Sequence, residues 1–335
     1  HHNYAQTLVM KILNATVNKD GSSDDVCNFD TTLGLIKKVD VMTIGVPKII
    51  YLTGWQYNGH DDRYPAFFEV NSHLKMNQDS TALQSLNWLI KEARKYHTTV
   101  SLHINMTDAY KNSPLWQQYV DKNMLSKNAD GSFKVIGHYN QLDSYQINYK
   151  HEWEQGYAQY RIDKLLELLP ILKTVGTIHL DAWFARNSEG DCESNIVESE
   201  YQKKVCSYWN SKGIDVTSEA VLDYMVGWVP YAYHFYKVNQ EFYMQVPATT
   251  YTGSDFNPDV PSDVGLGFLF GISMNAESIF PYSWVKVFGS KWYLPSDKEV
   301  IPAGNWDDSR GKYWTKIFMN EFYLHCPQYF FLNNL

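Results

Sequence analysis

The chain has 335 residues, of which 44% are hydrophobic and 20% are charged, and its net charge is −8 at pH 7. This balance is typical of a folded globular protein and excludes a disordered, collagen-like or coiled-coil chain. The negative charge without a long basic stretch argues against a nucleic-acid partner, and no apolar run approaches the roughly 20 residues that cross a bilayer.

Predicted strands and helices alternate along the chain. The strands are Val9–Leu13, 48–55, Thr98–Asn105, 177–184, 214–220, 242–250, 266–273 and a final apolar segment at 329–332. The helices are 31–41, one around Leu83–Ala93 capped by Asp79 and Ser80, 152–169 ended by Pro170, 198–212 and 312–325. About eight strands alternating with helices predict an α/β fold, a closed (β/α)8 TIM-type barrel. We expect residues 1–335 to form one catalytic barrel domain that belongs to a larger multidomain protein.

Each central strand has one apolar face and one polar or aromatic face. Alternate residues of a barrel strand face the lumen and the helix layer. The polar faces carry Tyr51 and Thr53, then Ser101, His103 and Asn105, then His179, Asp181 and Trp183, then Asp215, Thr217 and Glu219. An ordinary barrel lumen is filled by Val, Ile and Leu. The polar faces therefore indicate a functional lumen, with the reactive groups at the C-terminal strand ends.

Asp181 and Glu219 are the candidate catalytic residues. Each ends a predicted strand on its lumen side, and the two strands are consecutive. Side chains on neighbouring strands face each other across about 5 Å, which is the carboxyl separation of a retaining glycosidase. The alternative is that both carboxylates cap helices or pair with Lys and Arg.

The segment from Gly54 to Asp62 follows a predicted strand and combines Trp55 with His60 and Asp61. Loops of this kind carry binding groups, and rings are suited to the flat apolar faces of sugars. Aromatic residues make up 16% of the chain, which fits a cleft with aromatic walls. A metal site, including one at His103, Asn105 and Asp108, and an ordinary polar loop remain alternatives.

Several other chemistries lack their motifs. No GxGxxG or GxxxxGK[ST] follows a predicted strand, and no GxSxG surrounds Ser218. We expect neither a cofactor nor a metal. The four cysteines contain no CxxC pair, so free thiols are expected, with a Cys192–Cys206 disulfide as the alternative.

Five segments in order resemble the catalytic barrel of the endo-α-N-acetylgalactosaminidases, glycoside hydrolase family 101. They are GWQYNGHD at 54–61, LHINMT at 102–107, KNADGS at 127–132, IHLDAW at 178–183 and GIDVTSE at 213–219. The resemblance spans residues 8–335, including 313–331, which are similar to the last barrel helix and strand of the family.

This resemblance implies a retaining hydrolase that releases Galβ1-3GalNAc from Ser or Thr of mucin-type glycoproteins. It implies that Asp181 is the nucleophile and Glu219 the general acid/base. It further implies that sugar hydroxyls contact His60, Asp61, His103 and Asn105. The family has two tryptophans in a lid over the sugar, and Tyr139 and Gln141 stand at those places here.

We therefore expect Tyr139 to stack on the sugar, and Trp55 and Trp183 to bind substrate. The expected partner is an O-glycan or glycopeptide, and the substrate class places the protein outside the cell, at the cell surface or in a bacterial periplasm. Two alternatives remain: an exo-acting α-galactosidase or α-N-acetylgalactosaminidase, and a catalytically silent glycan-binding barrel.

Overall fold

The computed structural model describes residues 2–4, 7–42, 44–220, 222–230 and 232–234. Its strands are β1 (Leu8–Leu13), β2 (Ala15–Val17), β3 (Ser23–Asp25), β4 (Lys48–Thr53), β5 (Thr98–Asn105), β6 (Asp108–Ala109), β7 (Val135–Tyr139), β8 (Leu142–Gln146), β9 (Thr177–Asp181), β10 (Asp215–Ala220) and β11 (Ala232–His234). Six of them form a parallel sheet in the order β1-β4-β5-β9-β10-β11. Because all six strands run parallel, their carboxyl ends all lie along the same edge of the sheet.

Helices lie between the parallel strands. They are α1 (Phe29–Met42), α2 (Ala82–Ala93), α3 (Trp116–Asp121), α4 (Tyr149–Glu154), α5 (Tyr157–Leu168), α6 (Leu172–Val175) and α7 (Asn195–Ser211). An excursion between β5 and β9 adds a small antiparallel sheet in the order β6-β8-β7. No helix among the described residues is both long and apolar enough to cross a membrane.

The parallel sheet is strongly curved. β1 and β10 are four strand spacings apart, about 19 Å in a flat sheet. Nevertheless, Nζ of Lys11 in β1 lies 2.6 Å from Oε1 of Glu219 in β10. At the opposite edge of the sheet, the Tyr4 hydroxyl lies 2.8 Å from the hydroxyl oxygen of Thr177 in β9. The sheet therefore curls around an interior, as barrel sheets do.

The two faces of the strands separate as the sequence predicts. On β4, Ile50 and Leu52 belong to the main hydrophobic core. Tyr51 belongs to a separate small cluster with Tyr4, Val9 and Ile49. The alternation therefore places Tyr51 inside the curve, with Val9 and Ile49 beside it, and Ile50 and Leu52 in the core under the helices.

Apart from shifts of one to three residues at helix ends, the helices differ from the prediction in two ways. Thr81, and neither Asp79 nor Ser80, is the N-cap of α2, because its side chain and that of Gln84 form a reciprocal capping box. The helix predicted over 152–169 is two helices, α4 and α5, separated at Gly156, whose φ is 75°. A residue in the left-handed conformation ends a helix. Hydrophobic periodicity does not register such a break, so it predicted one continuous helix.

The later predicted elements, at 242–250, 266–273, 312–325 and 329–332, lie outside the described residues, as does Cys326. Cys27, Cys192 and Cys206 are free thiols. The alternative of a Cys192–Cys206 disulfide is therefore wrong, and the expectation of free thiols is confirmed for these three cysteines. The closed eight-stranded barrel stays a prediction.

A buried carboxylate joins α7 to the start of α4. Oε2 of Glu198 accepts the backbone N–H of Tyr149 at 2.7 Å, and Oε1 accepts that of Lys150 at 3.2 Å. Burial nevertheless raises the pKa of Glu198 to about 7, and the charges of Glu193 and Glu152 add to the effect of burial. The ionised form of Glu198 is therefore less stable in the folded chain than in the unfolded chain.

We expect Glu198 to make stability fall as pH rises. Between its ordinary pKa of 4.5 and about 7, the folded state holds a proton that the unfolded state has lost, so the free energy of unfolding decreases over this window, by roughly 2 to 3 kcal/mol. Urea unfolding at pH 5 and pH 8 measures this. Glu198→Gln should flatten the pH dependence, whereas Glu200→Gln, on the exposed side of α7, should leave it intact. An unchanged slope in Glu198→Gln contradicts the assignment.

Candidate functional site

The carboxyl ends of three neighbouring strands bring the predicted site residues together. In the register of the sheet, Asn105 of β5 is opposite Asp181 of β9. Leu180 of β9 is opposite Ser218 of β10, so Asp181 and Glu219 are the next residues along the two strands. The sequence prediction that both carboxylates end consecutive strands at one edge agrees with this register.

Asp181 is held by two side chains of β5. Nε2 of His103 lies 3.2 Å from Oδ2 of Asp181, and Nδ2 of Asn105 donates to the same oxygen at 3.4 Å. Burial, assisted by the charge of Lys11, lowers the pKa of His103 well below its usual value. His103 is therefore neutral at neutral pH and contacts Asp181 as a dipole.

Glu219 receives a cation and a backbone donor. Lys11, whose side chain is fully buried, lies 2.6 Å from Oε1, and the N–H of Ala182 donates to Oε2 at 3.1 Å. Ala182 adopts a left-handed φ of 43°, a conformation that costs a residue with a Cβ about 1 to 2 kcal/mol. This turn directs the N–H that follows Asp181 toward Glu219, so it connects the two carboxylates through the backbone.

The loop after β4 rests on the backbone that follows β1. Gly54 has a φ of 74°, and a Cβ there would lie 1.9 Å from the carbonyl oxygen of Ala15. A Cβ on Gly59 would lie 2.7 Å from the carbonyl carbon of Thr16. The N–H of His60 donates to Ala15 at 3.0 Å. The glycines therefore allow the close approach that fixes His60.

His60 lies beside the Asp181 cluster. Its ring centroid is 5.2 Å from that of His103, and its Nε2 lies 3.3 Å from Oδ2 of Asp61. One ligand atom from each of His60, His103 and Asp181 lies within 4.8 Å of the others. Imidazole and carboxylate are ligands that Zn²⁺ accepts, so these three residues are the group among the described residues that could hold a metal. Sugar hydroxyls use the same atoms as hydrogen-bond partners.

The β7–β8 hairpin reaches back to the His60 loop. Nδ2 of Asn140 donates to the carbonyl oxygens of His60 at 2.9 Å and Asp61 at 3.2 Å. Tyr139 is 47% exposed, and its pKa is raised by burial and then by the charges of Asp108, Asp61 and Asp181. Tyr139 therefore lies near the carboxylates with an exposed ring. Gln141, in contrast, donates from Nε2 to the backbone carbonyl oxygen of Lys19 at 3.0 Å.

Trp55 and Trp183 lie in the main hydrophobic core, next to the strand ends that carry the site. Both side chains are buried. The indole N–H of Trp55 donates to the carbonyl of His103 at 3.0 Å, and Trp183 packs edge-on against Tyr149. These two rings support the strand ends that carry the site. That they contact substrate stays a prediction, since His103 and Asn105 at the same strand ends are equally buried.

Two groups near the site were missed. Lys11 is a single cation inside an apolar strand. Its position on the lumen face was the signal that it belongs to the site. Arg161 on α5 is buried and donates to the carbonyls of Pro65 and Asn105 at 2.7 Å each. It also pairs with Glu152 at 2.7 Å, which accepts a short hydrogen bond from Tyr119. Arg161 therefore ties the end of β5 to the loop after β4.

The sequence model of the endo-α-N-acetylgalactosaminidases, glycoside hydrolase family 101, matches residues 5–233. The chain belongs to this family. The family match confirms the resemblance drawn from the five sequence segments and places the chain in a glycoside hydrolase family. It also covers all the site residues described above.

Solved structures of other glycosidases share the fold. A quadruple mutant of the α-N-acetylgalactosaminidase NagBb from Bifidobacterium bifidum superposes with a TM-score of 0.57 at 14% identity, covering 79% of this chain and 42% of that chain. The ligand-free form gives 0.54 at 14% identity, with 80% and 43% covered. An α-amylase from Lactobacillus plantarum gives 0.51 at 14% identity, with 84% and 69% covered. The chain therefore spans less than half of the length of NagBb.

We expect Gly54→Ala to lower the free energy of unfolding of this protein more than Gly213→Ala does. Both glycines have positive φ, 74° and 79°, but only the Cβ at residue 54 meets neighbouring backbone. The conformational cost of about 1 to 2 kcal/mol applies to both, and overpacking adds about 1 to 3 kcal/mol at residue 54. Urea unfolding gives the two free energies. Equal losses would show that the close approach to Ala15 is not a constraint.

Proposed function

We propose that the chain is a retaining glycosidase that cleaves α-linked GalNAc, as core-1 Galβ1-3GalNAc, from Ser or Thr of mucin-type O-glycoproteins. One observation carries the proposal. Asp181 and Glu219 end neighbouring strands at the same edge, and each has its own set of donors. A closed (β/α)8 barrel is part of the proposal, and its support is the alternation of strands and helices and the curvature of the sheet.

Asp181 is proposed as the nucleophile. A nucleophilic carboxylate must be ionised and fixed in place. Neutral His103 and the amide of Asn105 favour this state of Asp181, because both interact with it as neutral dipoles and neither transfers a proton to it. Attack on the anomeric carbon forms a covalent glycosyl-enzyme while the bond to the Ser or Thr oxygen breaks. The departing oxygen receives its proton from Glu219.

Glu219 is proposed as the general acid/base. In the second step its carboxylate removes a proton from water, which then attacks the glycosyl-enzyme and releases the sugar with retained configuration. Lys11 and the Ala182 N–H stabilise the carboxylate form, so they suit this second step. For the first step Glu219 must be protonated against the neighbouring cation, which favours activity on the acidic side of neutral pH.

The sugar is proposed to lie between the His60 loop and the β7–β8 hairpin. His60, Asp61, His103 and Asn105 offer donors and acceptors for hydroxyls, and Tyr139 offers one exposed ring for stacking. Substitution of a single tyrosine for two tryptophans removes a ring contact of about 1 kcal/mol. We therefore propose weaker sugar binding than in relatives with both tryptophans.

The cellular setting follows from the substrate. Mucin-type glycans are displayed outside cells, so we propose an extracellular, cell-surface or periplasmic enzyme. We further propose that the barrel belongs to a longer multidomain protein. The match to the family model of the endo-α-N-acetylgalactosaminidases supports an α-GalNAc substrate in preference to other sugars.

Leaving-group dependence tests the two carboxylates separately. Glu219→Ala should slow hydrolysis of a core-1 glycopeptide by about 10²-fold or more, because an alkoxide needs a proton to depart. It should slow glycosylation by a dinitrophenyl core-1 glycoside much less, since that leaving group departs without a proton. The glycosyl-enzyme should then accumulate, and azide should restore turnover. Asp181→Ala should abolish hydrolysis of both substrates.

Product and controls distinguish the alternatives. Release of the disaccharide supports endo action, release of galactose or GalNAc alone supports an exo-glycosidase, and no turnover of any glycoside supports a silent glycan-binding barrel. Glu200→Gln, exposed on α7, should match the wild type on both substrates. Equal losses on both substrates for Glu219→Ala, without azide rescue, exclude the acid/base role.

The pH profile tests the action of Lys11 on Glu219. Besides Lys11, His103 on β5 interacts electrostatically with this carboxylate. Lys11→Met removes a cation 2.6 Å away, so protonated Glu219 should persist to higher pH. The basic limb of kcat/KM for the glycopeptide should therefore move to higher pH.

Lys48→Met is the matched control. Lys48 is also fully buried and also lies 2.6 Å from a carboxylate, that of Asp40, but it sits at the other end of the strands. Its substitution should lower stability without moving the basic limb. A limb that stays in place in Lys11→Met, with wild-type fold by circular dichroism, contradicts the role of Lys11.

A further inference from the structure

A concave surface lies at the base of the β7–β8 hairpin. It is a cleft of about 380 Å³ between the base of the β7–β8 hairpin, the segment after β9 and the first turn of α7. Its volume lies within the range of small ligand sites. Its polar lining consists of the cations Lys134 and Arg186 and the amides Asn128, Asn187 and Asn195.

A short chain of contacts leads from this cleft to the proposed nucleophile. Nη1 of Arg186 donates to Oε1 of Gln146 at 2.7 Å, and Gln146 is opposite Asp108 in the β6–β8 pair. Asp108 accepts from Asn105 at 2.9 Å, and Asn105 contacts Asp181 at 3.4 Å. The charge of Arg186 also acts on Tyr139, the ring on which the sugar is proposed to stack, so the cleft adjoins the proposed sugar site.

The lining indicates what that part is. No acidic and no aromatic residue lines the cleft within the described portion of the chain. Sugars bind well on aromatic faces, so the cleft is poorly suited to another sugar ring. Side-chain amides both donate and accept hydrogen bonds and so match the amide groups of an extended peptide.

The charges favour an acidic peptide. A guanidinium has five N–H donors, more than the contact with Gln146 uses. Lys134 is 18% exposed and lies 2.8 Å from the carboxylate of Glu189, which does not line the cleft. An incoming carboxylate would share Lys134 with Glu189 and find Arg186 beside it.

We propose that this cleft binds an acidic side chain of the polypeptide next to the glycosylated Ser or Thr. The inference rests on the proposed function and deepens it, since it assigns a preference for the peptide to an enzyme whose chemistry occurs at the sugar. The protein then selects glycosylation sites by local sequence as well as by glycan.

The test uses matched glycopeptides with the same core-1 glycan and either Glu or Gln at the positions flanking the glycosylated Thr. For the wild type, kcat/KM should be about 2- to 5-fold higher for the Glu peptides, as expected for partly exposed ion pairs. The ratio should approach one in 0.5 M salt, because salt screens exposed charges.

Two substitutions should move the ratio in opposite directions. Lys134→Gln removes a cation from the cleft and should bring the ratio toward one. Glu189→Gln removes the competing carboxylate and should raise the ratio. Lys164→Gln is the control, since Lys164 also pairs with a glutamate at 2.6 Å but on the exposed face of α5.

The outcomes separate the two proposals. A dinitrophenyl core-1 glycoside carries no peptide, so its hydrolysis reports the catalytic function alone. If that glycoside and the glycopeptides are all inert, the proposed function fails. If they are hydrolysed but the Glu and Gln peptides react equally, or if Lys134→Gln and Glu189→Gln leave the ratio unchanged, the peptide-binding cleft is wrong.

Discussion

A buried ion pair between the first and fifth strands of the sheet determines how the site is built. Lys11 reaches Glu219 at 2.6 Å only because the parallel sheet curls back toward its first strand. A buried cation without its partner is strongly destabilising, so this contact makes curvature of the sheet and placement of the acid/base candidate interdependent. The same curvature brings His60, His103 and Asp181 from three different chain segments to one edge.

Strand periodicity explains why much of this arrangement was predictable. Side chains alternate with period two, so a face of Ser101, His103 and Asn105 beside an apolar face specifies which groups enter the lumen. β5 has the predicted bounds, and the parallel register then aligns Asn105 with Asp181. Sequence order, together with this periodicity, was sufficient to select the two carboxylates without any knowledge of their partners.

Contacts between distant segments were not predictable in the same way. The sequence shows Lys11 within an apolar strand, but its partner lies 208 residues later. Arg161 follows the helical pattern of α5, yet its three acceptors come from separate elements. Trp55 and Trp183 occupy lumen-side positions by alternation, but they follow the last residues of β4 and β9, Thr53 and Asp181. Beyond a strand end the period of two no longer applies, and the chain turned both rings into the core.

The polar interior has a cost that the rest of the fold must offset. Lys11 and His103 are both removed from water, and desolvation of charged or polar groups is unfavourable unless they are well paired. The apolar faces of the same strands pack under helices in one continuous core, and Arg161 ties the strand end that carries Asn105 to its surroundings. Stability thus resides in the outer layer and chemistry in the inner one. A substitution in the outer layer should therefore change stability first, whereas one at Lys11 changes the charge balance of the site itself.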